Sequence, residues 1–62
     1  MELLKYNNKK VSLVDTDDKV WTGLASYCDA DTNETPEDVL VLKIDTEYME
    51  FMDSEIKSIK II

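Results

Sequence analysis

The sequence has no arginine and no histidine, and it carries only one cysteine, one glycine and one proline among 62 residues. Each absence excludes something. Without histidine, arginine or a second cysteine, acid–base catalysis would rest on carboxylates, lysines or tyrosines, and no constellation of these stands out. The chain therefore reads as non-enzymatic, with no catalytic residue and no cofactor. A single cysteine, Cys28, excludes an intramolecular disulfide and a cysteine-rich zinc site. It falls where a strand ends and reads as a small half-buried hydrophobe. No histidine or nearby lysine lowers its pKa, so it makes a poor nucleophile. No signal-like leader, apolar run of membrane length or disulfide framework is visible. The expected compartment is the cytoplasm, with no membrane contact.

Positive charge is scarce as well. Fourteen acids face seven lysines, for a net charge of −7. A phosphate backbone wants a basic face, so DNA is excluded as a partner and RNA is disfavoured. The pairs Lys9-Lys10 and Lys57/Lys60 are too sparse for a nucleic-acid stripe. The acidity itself reads first as solubility and second as attraction for a basic protein partner. Hydrophobic residues make up 44% of the chain, enough for a globular domain despite the charge. A chain of this length is one domain, residues 1–62, and its core supplies roughly 3–5 kcal/mol of net stability.

What is present is strand pattern. Residues 9–27, KKVSLVDTDDKVWTGLASY, read as one long β-hairpin. Val11 and Leu13 alternate along the first arm, and Val20, Trp21, Leu24 and Tyr27 populate the second. Between them Asp15-Thr16-Asp17-Asp18-Lys19 makes a credible turn, because aspartate bonds its own backbone. The adjacent Asp17 and Asp18 belong to that turn and form no catalytic pair. Gly23, alone inside a strand pattern, marks a bend or a close backbone approach.

The remaining segments fit a small barrel. Residues 1–6 suggest a short helical turn, with Leu3, Leu4 and Tyr6 as a lid, and Asn7-Asn8 ends it. Residues 28–38, CDADTNETPED, form the longest irregular stretch, with five acids and no base. Residues 39–45 read as a buried strand, 45–47 as a turn and 48–52 as the return strand. Met49 and Phe51 share one face of that strand, opposite Tyr48, Glu50 and Met52. Residues 53–56 suggest one helical turn, capped by Asp53 or Ser54. Residues 58–62, SIKII, give a last strand. The sum is an all-β, five-stranded, strongly bent barrel with a short N-terminal helix and one helical turn before the last strand.

This layout resembles the Sm and Sm-like (LSm) family, a bent five-stranded barrel of the Src-homology-3-like class. Gly23, Asp29 and Asn33 stand at the spacing of that family's first motif. The resemblance implies that Asp29 and Asn33 belong to an RNA base pocket. Three departures weigh against that role. Asp31 occupies the stacking position, and Glu34 to Asp38 precede the next strand. Met52-Asp53 stands where the family has an apolar residue followed by Arg-Gly, so the base-stacking arginine is gone. The barrel thus resembles the family while the RNA site is dismantled.

Other patterns weaken on inspection. Asp29, Asp31 and Asn33 mimic the start of a calcium loop, but positions six and twelve hold Glu34 and Leu40, so no metal site is expected. Trp21, Tyr27, Tyr48 and Phe51 could stack bases, although such residues more often build a core. Should Val20 and Leu24 face the core, Trp21 is left partly exposed and marks an interaction surface. The expected role is a protein-interaction module, binding a protein or self-associating as an oligomer. SIKII and YMEFM are the natural pairing edges. RNA binding through Asp29 and Asn33 is the alternative.

Overall fold

The computed structural model describes residues 2–62. Five antiparallel strands form one sheet: β1 (Lys10–Asp15), β2 (Val20–Cys28), β3 (Val39–Ile44), β4 (Glu47–Met52) and β5 (Ile56–Ile61). Their order is β4-β3-β2-β1-β5. The sheet curls around its core into a barrel-like shape but does not close, because β4 and β5 are not paired. A short 3-10 helix, Leu3–Tyr6, precedes β1 and another, Asp53–Glu55, precedes β5.

Gly23 explains the curl. Residues 20–24 of β2 pair with β1, from Val14↔Val20 to Lys10↔Leu24. Residues 24–28 pair with β3, from Leu24↔Lys43 to Cys28↔Val39. One strand therefore serves two partners, and the handover falls just after Gly23. A Cβ at Gly23 would sit 2.5 Å from the Lys43 carbonyl oxygen and 3.0 Å from Ile44 Cγ1. Only glycine permits that approach.

The enclosed side is apolar. Val11 and Leu13 of β1, Ala25 of β2, Leu40 and Leu42 of β3 and Phe51 of β4 are buried together with Ile56. Leu3 and Tyr6 of the first 3-10 helix close one end, whereas Leu4 points outward and is 63% exposed. The expected lid thus uses two of its three apolar residues. Among the described residues no buried side-chain polar atom lacks a partner.

The turns use polar residues in left-handed backbone. Asn8, Asp18, Glu34 and Asp45 have φ of 62°, 62°, 55° and 55°. Asparagine and aspartate tolerate this region better than most residues. Asn7 adds a tie, its Oδ1 accepting from the Tyr27 N–H at 2.8 Å.

Two local expectations need correction. The 28–38 stretch contains one turn of helix, α1 (Ala30–Asn33). Four residues are too few for a periodic signal. The 53–55 turn is held by two glutamates, one of them from the 28–38 stretch. Glu37 accepts from the Ser54 N–H and hydroxyl at 2.8 and 2.7 Å, and Glu55 accepts from the Met52 N–H at 2.9 Å.

Replacing Gly23 with Ala forces overpacking against a backbone carbonyl and should cost about 1–3 kcal/mol. Replacing the fully buried Leu40 with Ala should cost about 2–5 kcal/mol. Against a stability of roughly 3–5 kcal/mol, each change should move the urea midpoint sharply down, and Leu40→Ala should leave much of the chain unfolded. Trp21 fluorescence reads both.

Candidate functional site

Three places on the fold carry chemistry: the acidic loop after β2, the hairpin end around Trp21, and the two free sheet edges.

In the loop, Asp29 caps α1 by accepting from the Asp31 N–H at 3.3 Å, and the Asn33 N–H donates to the Asp29 carbonyl at 2.9 Å. Asp29 and Asn33, four residues apart on one helical turn, thus lie together. They line a shallow depression of about 330 Å³ with Tyr27, Cys28 and Thr32. No lysine lines it. Asp31 lies outside it and is exposed.

Asp38 anchors the loop from beneath. Its Oδ1 accepts from the Ala30 N–H at 2.9 Å, and its carboxylate also bonds the Tyr27 hydroxyl. Desolvation, then that bond, then the charges of Asp38 and Asp29 raise the Tyr27 pKa above its ordinary 10.0. The hydroxyl is the donor in that bond. Asp29 is committed to a helix cap and not to a calcium-type loop. Among the described residues no three of His, Cys, Asp and Glu converge as a metal would need.

At the hairpin end the phase of β2 differs from expectation. Val20 is 65% exposed and Leu24 47% exposed. Trp21, Gly23, Ala25 and Tyr27 take the inner face instead. Trp21 is half-buried, packs on the core and lies 5.6 Å from Phe51, centroid to centroid, with rings tilted by 59°. Such tilted pairs suit the ring quadrupoles. The premise that Val20 and Leu24 point inward is thereby overturned, and Trp21 meets solvent only along part of its ring. Lys19 covers some of that, its Nζ 5.3 Å from the ring centroid. Of the four aromatics that could stack bases, Phe51 is core, Trp21 and Tyr27 border it, and Tyr48 is 65% exposed.

The residue that holds this end together is Asp15. Its Oδ1 accepts from the Asp17 and Lys19 N–H groups at 2.8 and 3.0 Å, and its Oδ2 accepts from the Trp21 indole N–H at 2.8 Å. Sequence reasoning placed Asp15 in a turn but did not give it the tryptophan. The usable signal was an aspartate opening a turn with a tryptophan six residues on.

No protein-family model, curated protein or solved structure matches the chain. The edges stand on their own geometry. β4 carries Glu47 and Glu50 and no lysine, whereas β5 carries Lys57 and Lys60 and no acid. Lys57 also pairs with Asp18, an exposed contact.

The Trp21 bond, opposed in part by burial and aided by the Lys19 and Asp17 amides, lowers the Asp15 pKa from 3.8. A depressed carboxylate pKa gives stability that is full above the unfolded value and is lost as pH falls through the folded one. The wild-type melting temperature should therefore carry an acid-sensitive component below about pH 4. Asp15→Asn should melt lower at pH 7 and lack that component. Equal pH profiles for the two proteins would contradict the assignment.

Proposed function

We propose that this chain is a non-enzymatic interaction module that self-associates through its sheet edges. The observation that carries the reading is the pair of unpaired, oppositely charged edges, β4 and β5. An exposed edge is a template for another strand, and natural edges are usually blunted. Here each edge bears the charge the other lacks. Like edges would repel, so β4 of one copy suits β5 of the next, a head-to-tail contact that builds a ring or a filament. Ile61, 54% exposed, adds apolar surface at the β5 edge. An Sm-like barrel that has lost its stacking arginine but kept its edges fits this description, and the cytoplasm is the proposed compartment.

Light scattering after size exclusion tests this directly, since one protomer is 7.2 kDa. The expected result is a mass several times that at low salt, falling as salt screens the edges. Glu50→Lys should dissociate the assembly without unfolding it, and Lys60→Glu paired with Glu50→Lys should restore it. A monomer at every concentration and salt would refute the proposal.

A second reading, RNA held by Asp29 and Asn33, is supported by their shared depression with Tyr27, whose ring could stack a base. The depression has no lysine to meet a phosphate. Labelled oligouridine should therefore show no saturable binding even at low salt. Saturable binding abolished by Asn33→Ala would favour RNA instead.

A further inference from the structure

The outer face of the sheet carries an arrangement that the edges do not use. In cross-strand register, Lys10 of β1 lies opposite Leu24 of β2, and Leu24 lies opposite Lys43 of β3. Lys43 in turn lies opposite Tyr48 of β4. At the other end the Ile62 N–H donates to the Lys10 carbonyl at 3.0 Å. One row across the face thus alternates apolar and basic: Ile62, Lys10, Leu24, Lys43, Tyr48. Its three apolar members are among the most exposed of the molecule, at 57%, 47% and 65%. Lys10, Leu24, Lys43 and the acid Asp45 line one depression of about 440 Å³.

Acids outnumber lysines fourteen to seven, so a lysine has carboxylates to pair with. Lys57 pairs with Asp18, and Lys5 and Lys19 sit over Tyr6 and Trp21. Lys9, Lys10, Lys43 and Lys60 have neither a carboxylate nor a ring partner among the described residues, and of these four Lys10 and Lys43 share one depression. These two flank an exposed leucine, while five acids gather in the 28–38 loop. A solvated face needs charge but not exposed apolar groups set between free cations.

We infer that Lys10, Leu24 and Lys43 form a docking surface for an acidic amphipathic helix of a partner protein. The spacing carries the inference. Strands lie about 4.8 Å apart, so the two lysine positions are about 10 Å apart with Leu24 midway. A helix rises about 1.5 Å per residue, so acids at i and i+7 are about 10.5 Å apart, with an apolar residue at i+3 or i+4 between them on the same face. Carboxylates then meet the two amines while the apolar residue covers Leu24. An extended strand matches less well, because residues about 10 Å apart along it point to opposite faces. This surface lies on the three inner strands and is independent of the edge assembly.

The test is a titration of isotope-labelled protein with a helical peptide of about 18 residues whose one face presents Glu, Leu and Glu at i, i+4 and i+7. Amide shifts should concentrate at Lys10, Leu24 and Lys43. Binding should weaken about tenfold when both glutamates of the peptide become glutamine, and similarly for Lys10→Glu with Lys43→Glu. Both lysines are exposed, so the double variant should keep a dispersed spectrum. Leu24→Ser, which keeps the charges, should also weaken binding. No shifts at millimolar peptide would overturn the inference. So would shifts confined to β4, β5 or the 28–38 loop, equal binding of the glutamine peptide, or tighter binding of oligouridine on the same residues. A monomer that binds the peptide supports this surface and defeats the edge assembly. An oligomer that ignores the peptide does the reverse.

Discussion

The fold depends on one close approach, the backbone of Gly23 against the Lys43 carbonyl. Because no Cβ intervenes, β2 can turn from β1 to β3 within a single residue. That turn curls five short strands around Leu13, Leu40, Leu42 and Phe51, a core that a flat sheet of this length could not enclose. β4 and β5 end the sheet and do not pair with each other.

The acidity of the chain has a structural share. Asp15 gathers the hairpin, Asp29 caps α1, Asp38 holds Tyr27 and Ala30, and Glu37 caps the turn before β5. In each case a carboxylate accepts backbone or side-chain N–H and O–H donors that a tight turn would otherwise leave to water. These acids lie at the turns and loops. Four of the seven lysines, Lys10, Lys43, Lys57 and Lys60, fall on strands, and with Glu47 and Glu50 of β4 they give the molecule a basic edge, an acidic edge and a lysine-flanked outer face.

Much of this was legible in the sequence, for physical reasons. Gly23 stood alone in a β-branched run, and Asp15 to Lys19 had turn chemistry. Phe51 and Met49 alternated against Tyr48 and Glu50, so β4 could be phased. The phase of β2 could not. Val20, Trp21, Leu24, Ala25 and Tyr27 put apolar groups on both faces, and a one-residue slip exchanges the faces. Trp21 went inside because its indole had both Phe51 and the Asp15 carboxylate to meet, contacts made only by folding. The register across strands was equally hidden, so neither the Glu37 cap nor the Lys10–Leu24–Lys43 row could be read. The Asp29 and Asn33 pair was legible by spacing, but the absence of a lysine around it emerged only from the geometry.

The central claim is that β4 and β5 are joining surfaces. Amide hydrogen exchange at low and at high protein concentration tests it most directly. Edge-to-edge association predicts that outward amides of both β4 and β5 slow together as concentration rises, while those of β1, β2 and β3 stay unchanged. Exchange independent of concentration, or slowing at one edge alone, would contradict it.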